Sequence, residues 1–256
     1  TDVAITDTDT GDDNTCVKGG ADADLFTCTV TATAYSVSFS SAPDYDSGTA
    51  CDGGNSCTVT IKINDGAQDG ATITYTITIA DANDQTPAVT VDSSYATAEA
   101  TTVFQTFTIV DTDTTGAYGC TLGGADSAAF SKTVTGKNCV VSWASARDYD
   151  AAHADANGDG TYELTIAFTD GTNNLGAQST DVTVTDVNDQ TPTYTATSTT
   201  PTVTEGATAV DTDVAITDTD TGDSNTCTKG GADAALFTCT VSATAYSVAF
   251  TSSPNY

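Results

Sequence analysis

The chain has 256 residues, with 35 Asp plus Glu against 6 Lys plus Arg and a formal net charge of −29. That balance excludes a nucleic-acid binder, because nothing basic is present to neutralise phosphates, and it argues against docking on anionic lipid. A compact chain this acidic repels itself unless cations or separation relieve it, so its carboxylates read either as a halophile-like solvated surface or as groups collected around a hard cation such as calcium.

Eight cysteines stand at Cys16, Cys28, Cys51, Cys57, Cys120, Cys139, Cys227 and Cys239, beside one histidine and no methionine. No two form a CxxC and histidine partners are missing, so a zinc site is not expected. The spacing reads as four successive local pairs, 16 with 28, 51 with 57, 120 with 139 and 227 with 239. Disulfides imply an oxidising, extracellular compartment, and the chain is expected to be secreted or on a cell surface. No apolar run approaches the roughly 20 residues of a membrane span. With neither a signal peptide nor an initiator Met, the sequence reads as a mature fragment of a longer secreted polypeptide.

Internal repetition organises the rest. Residues 1–45 and 212–256 align without gaps, and 37 of the 45 positions are identical. A more distant copy lies between them, where Asp111-Thr112-Asp113 matches Asp7-Thr8-Asp9 and Gly123-Gly124-Ala125-Asp126 matches Gly19-Gly20-Ala21-Asp22. Asp81-Ala82-Asn83-Asp84-Gln85-Thr86-Pro87 recurs 105 positions on (186 − 81) as Asp186-Val187-Asn188-Asp189-Gln190-Thr191-Pro192. A repeat of this length is within the usual domain size, and a fixed period marks a tandem array. The expected domains are 1–86, a complete one at 87–191, and a first half at 192–256.

In chain order, Val59/Ile61/Ile63, Ile73/Tyr75/Ile77/Ile79, Val141/Trp143, Leu164/Ile166/Phe168 and Val182/Val184 alternate with polar residues, the period of a strand with one buried face. Asp-Gly and Gly-Gly steps at 65–66, 69–70, 123–124 and 170–171 supply turns, and no stretch carries a helical period. The expected fold is all-β: tandem antiparallel Greek-key β-sandwich domains, Ig-like in architecture with about seven strands each, in a linear array. Trp143 is expected in the core. The small cores are expected to need disulfides and bound ions.

One order of elements runs through the middle copy: Glu99, then Asp111/Asp113, then Asp148-Tyr149-Asp150, then Asp170-Gly171, then Asp186-Val187-Asn188-Asp189 with Pro192. This order resembles the cadherin repeat, over the whole middle unit and the matching parts of both flanking ones. Gln85 and Gln190 stand where the family usually has Asn, and Asp46 and Asp150 where Glu is common. The Ala/Thr/Asp bias looks microbial rather than animal.

The resemblance implies calcium ions between successive domains. It assigns to the first joint Asp44, Asp46, Asp81, Asp84, Asn83, the carbonyls of Ala82 and Gln85, and Asp111, Asp113 and Asp170. To the second it assigns Glu99, Asp148, Asp150, Asp186, Asn188, Asp189, Asp218 and Asp220, with the carbonyls of Val187 and Gln190, and Asn225 as a further carbonyl ligand. Asp7, Asp9, Asn14 and Asp65 form an incomplete set at the start, and Glu205 another at the end. Together these include 18 of the 35 acids. Independent random turns would have no reason to repeat in this order.

A loop of the middle copy, Asp155-Ala156-Asn157-Gly158-Asp159-Gly160, opens like an EF-hand loop but has Ile166 at the twelfth position. Catalysis is not expected: no nucleophile, phosphate or dinucleotide motif occurs, and His153 reads as solvent-exposed. The functional expectation is a calcium-rigidified extracellular repeat of a rod or filament, assembling end to end or side by side with copies of itself. The alternative is the stalk or binding module of an adhesin with a cell-surface or carbohydrate ligand.

Overall fold

The computed structural model of the chain describes residues 2–8, 11, 13–151, 155–222 and 224–255. Asp9 and His153 lie outside the described residues. Among those described the structure is all-β, with no α-helix and only short 3-10 turns between strands. Among the described residues no helix is long and apolar enough to cross a membrane. By proximity the chain divides into two compact units, one of Thr1–Val89, Thr108–Cys120 and Phe168–Gly176, the other of Thr90–Phe107, Thr121–Ala167 and Ala177–Tyr256.

In the first unit, Val3–Ala4, Ala34–Phe39 and Phe26–Val30 form one sheet, and Thr15–Gly19, Ser56–Asn64 and Ile73–Thr78 form another. The alternation read along 57–63 decides which side chains meet between them. Cys57, Val59 and Ile61 point inward and are at most 1% exposed, against Phe26 and Tyr35 from the facing sheet. Each such aliphatic side chain contributes roughly 1.5–3 kcal/mol on burial. The sheets are also tied by the Cys16–Cys28 disulfide and by the hydrogen-bonded hydroxyls of Tyr35 and Tyr75, 2.7 Å apart. Burial, then the neighbouring phenol, pushes the Tyr35 hydroxyl up to about 12.

The second unit holds the hairpin Phe130–Thr135/Asn138–Trp143, in register from Phe130 opposite Trp143 to Thr135 opposite Asn138. Its turn passes through Gly136, whose φ of 57° favours a residue without Cβ. Trp143 is buried as expected, stacked on Phe130 at 4.4 Å with the Arg147 guanidinium 5.1 Å from its ring. Thr161–Thr169 alternates without interruption between buried and half-buried residues. One pairing departs from the antiparallel expectation: Asp181–Thr185 runs parallel to Ser94–Ala98. Strands this far apart in the chain are not bound by hairpin geometry, so a parallel pairing is open to them. A further sheet orders Thr193–Tyr194, Ala209–Thr217, Ala245–Phe250 and Phe237–Val241.

The three sequence copies fold alike locally. Ala23–Leu25, Ser127–Ala129 and Ala234–Leu236 are 3-10 turns, each entered through an aspartate, Asp22, Asp126 or Asp233, at φ −102°, −104° and −99°. Cys16–Cys28, Cys51–Cys57 and Cys227–Cys239 are bonded as the local pairing predicts. Cys120 and Cys139 are also disulfide-bonded, and no free cysteine is left.

Candidate metal centres

Within the first unit the end of one repeat meets the DxD loop of the next. Carboxylate oxygens of Asp46, Asp84 and Asp113 lie within 4.8 Å of one another, and so do those of Asp111, Asp113 and Asp170. Asp113 and Asp170 are 1% and 0% exposed, so these charges sit where water cannot screen them. Short-range backbone geometry aims each group. Asp44 accepts the N–H groups of Asp46 and Ser47, and Asp111 accepts that of Asp113. The N–H of Gln85 donates to Oδ2 of Asp113 at 3.0 Å, while its side-chain amide donates to Asp84.

Within the second unit the same construction recurs. Glu99, Asp150 and Asp189 form one group and Asp150, Asp186 and Asp220 another, by the same distance. Glu99 is 5% exposed and holds two segments at once, accepting the N–H of Tyr149 through one oxygen and that of Val187 through the other, both at 2.7 Å. Asp148 accepts from Asp150 and Ala151, Asp218 from Asp220, and the N–H of Gln190 donates to Asp220 at 2.9 Å.

Electrostatics follows from the crowding. Burial pushes the Asp150 carboxyl up to about 6, aided by the negative charge of Asp220, Asp186 and Glu99. Asp46 is raised in the same way, by burial and then by Asp113, Asp81 and Asp84. Asp170 goes the other way: burial raises it, but hydrogen bonds from Asn173 and Thr172 outweigh that and hold it below the usual range.

Several of these oxygens have no hydrogen-bond partner although they are buried: Oδ1 of Asp81, Asp113, Asp186 and Asp220, and both oxygens of Asp150. A buried carboxylate oxygen without a donor is costly, and buried polar atoms are otherwise almost always satisfied. Oxygen-only donors, several of them carboxylates converging with vacant lone pairs, match the preference of a hard divalent cation. A fifth grouping, Asp22 with Cys51 and Cys57, offers no thiolate because the two cysteines are joined as a disulfide.

The remaining expected ligands are placed as follows. Asn83 accepts from Asn173 at 3.0 Å and donates to the carbonyl of Asp170 at 3.4 Å. Ala82, Asn188 and Val187 lie in the linkers, and the Val187 N–H donates to Glu99. Asp7 and Glu205 are exposed, and neither is in the carboxylate groups found among the described residues. Asp65 closes its own turn, accepting from Ala67 and Gln68 at 2.7 and 2.6 Å. Asn14 and Asn225 both spend their side-chain amides on a carbonyl, of Ala32 and Ala243, at 3.2 and 3.1 Å.

Sequence reasoning passed over three residues. Thr114 and Thr221 bind Asp81 and Asp186 through both N–H and hydroxyl, and Asn173 braces Asn83 against Asp170. The threonines were readable, since each directly follows its DxD; Asn173 was not, because only folding brings it to Asn83.

Among solved structures, 135 chains match this one. Protocadherin gamma B2 extracellular cadherin domains 3–6 is 20% identical, with a TM-score of 0.57 over 98% of this chain and 64% of that one. Human CDH23 EC21–23 is 18% identical, with a TM-score of 0.57 over 86% and 78% of the two chains. The fold is that of cadherin extracellular domains. The cis-dimer structure of protocadherin gammaB7 EC3–6 matches at 18% identity and a TM-score of 0.52, and the present chain covers 96% of itself but 60% of that neighbour. No family model matches the sequence, and no curated protein does.

Proposed function

We propose that this chain is a stretch of cadherin-like extracellular repeats, with domains at 1–86, 87–191 and 192–256, whose joints are stiffened by calcium to make a rod or filament. The single observation behind this reading is the recurrence of one construction: buried carboxylate oxygens without hydrogen-bond donors, at the same motif positions, twice in the chain. Asp46, Asp81, Asp84, Asp111, Asp113 and Asp170 would hold the ion at one joint, and Glu99, Asp150, Asp186, Asp189, Asp218 and Asp220 at the other. Calcium, when bound, supplies the positive charge that allows these groups to stay ionised side by side. The protein's own contribution is to aim them. Backbone N–H groups of Gln85 and Gln190 tie each linker to the following DxD loop, and Glu99 ties the mid-domain Asp148-Tyr149-Asp150 to the second linker.

The oxidised cysteines fit an extracellular setting. No catalytic role is proposed. Side-by-side association of copies is supported by the gammaB7 neighbour, whose structure is a cis-dimer. Small-angle scattering with and without chelator tests the reading. Calcium-stiffened joints predict a longer, less flexible particle in calcium; an unchanged maximum dimension and flexibility would exclude them.

A further inference from the structure

Four aspartates, two in each unit, divide their oxygens in the same way. In the first unit the linker residue Asp81 accepts the N–H of Thr114 at 2.6 Å and also its hydroxyl, both through Oδ2. Asp113 of the DxD loop accepts the N–H of the linker residue Gln85, again through Oδ2, at 3.0 Å. In the second unit Asp186 accepts both groups of Thr221 through Oδ2, and Asp220 accepts the N–H of Gln190 through Oδ2 at 2.9 Å. The exchange is reciprocal: the loop caps a linker carboxylate, and the linker caps a loop carboxylate.

In all four the other oxygen, Oδ1, is buried and has no donor. Asp113 and Asp220 are 1% and 8% exposed, so bulk water does not compensate the lone oxygen. An aspartate is free to chelate a cation through both oxygens or to offer one. Here the donors on Oδ2 occupy that oxygen and fix the rotation of the side chain, which leaves Oδ1 as the one to be shared. At Asp81 and Asp186 both donors come from the threonine that directly follows DxD. Thr114 and Thr221 are exposed, so their side chains add nothing to a core.

We infer that Thr114 and Thr221 are positioning residues for the joint cation: by engaging Oδ2 they make Asp81 and Asp186 one-oxygen ligands, with Oδ1 reserved for the ion. This rests on the calcium reading above. Gln85 and Gln190 act in the same way on Asp113 and Asp220, but through the main chain, which a side-chain substitution does not reach. The threonine hydroxyl is the part of the device that a substitution removes. The four contacts order the ligands, and the ion is still needed to neutralise the oxygens they leave unpaired. Donors that aim a metal ligand typically matter by about 10–100-fold in affinity.

The test titrates the whole chain with calcium, in competition with a chromophoric chelator, and measures melting of the same proteins in excess chelator. Thr114→Val combined with Thr221→Val keeps the shape and the N–H of both residues and removes only the hydroxyls. Calcium affinity should fall about tenfold. Melting in chelator should stay with the parent, because both side chains are exposed. Thr114→Ser combined with Thr221→Ser keeps the hydroxyls and should bind calcium as the parent does. Parental affinity in the valine variant overturns the inference and leaves the calcium reading standing. So does a loss that serine does not recover, or one that comes with lower melting in chelator, since the threonines then serve only the fold. A parent that takes up no calcium fails the joint reading itself, and the inference with it.

Discussion

The main-chain N–H of Gln85 donates to the buried carboxylate of Asp113 at 3.0 Å, and 105 positions on Gln190 does the same to Asp220 at 2.9 Å. This pairing explains how Gln can stand where cadherin repeats usually have Asn. The position acts on the DxD loop through its backbone, and its longer side chain reaches back to the neighbouring Asp84 or Asp189. The linker is therefore fixed to the following loop before any ion is considered.

Asp113→Asn should change sign with calcium. The amide oxygen can keep the Gln85 bond while one negative charge is removed from a crowded group, so melting in chelator should be equal to or above that of the parent. In 5 mM calcium the variant should melt lower, losing on the order of 1–2 kcal/mol of ligand stabilisation if extracellular-type affinities of roughly 10⁻⁴–10⁻³ M apply. Thermal melts in the two buffers decide it; equal ranking in both excludes Asp113 as a ligand.

Without calcium, stability should fall as pH rises from about 4 to about 6. Asp150 is held up to about 6 by burial and by Asp220, so the folded state keeps a proton that the unfolded state, near the ordinary 3.8, releases earlier. The favourable contribution is fully present below the unfolded value and is gone above the folded one. Asp150→Asn should flatten this slope. Denaturant midpoints at successive pH values in chelator would show it, and a parent slope of the opposite sign in that window would refute the assignment.

Two devices close the equivalent loop in the first and middle copies, and they should respond differently to mutation. Asp22 and Asp126 clamp the loop identically, but only the first has the Cys51–Cys57 bridge. Asp126→Ala should open 155–160 to amide exchange much more than Asp22→Ala opens 51–56. Equal exchange in both variants would mean that the Cys51–Cys57 bridge adds nothing to loop order.

Replacing Cys51 and Cys57 by Ala should destabilise the first unit by about 2 kcal/mol from loop-closure entropy alone, with more from the space left by the fully buried Cys57. Urea unfolding followed by tyrosine fluorescence provides the measurement. A change below about 0.5 kcal/mol would show that Asp22 and sheet pairing close the loop unaided.

What the residue order by itself determined is periodic: the repeat, the strand faces, the local cysteine pairs and the acidic motifs. These follow from the two-residue period of side-chain direction and from short loops, which a linear reading captures. Tertiary structure alone decided which carboxylates share a site. Asp46, Asp84 and Asp113 are distant in sequence and meet only because a linker, a mid-domain turn and a DxD loop are brought together by sheet packing. It also separated the motif members by environment, leaving Asp65, Asn14 and Glu205 outside the groups, brought Asn173 to Asn83, and paired Asp181–Thr185 parallel to Ser94–Ala98. Burial, which makes the crowded oxygens of Asp81, Asp113, Asp150, Asp186 and Asp220 costly without a partner, is a property of packing and has no counterpart in the spacing of a motif.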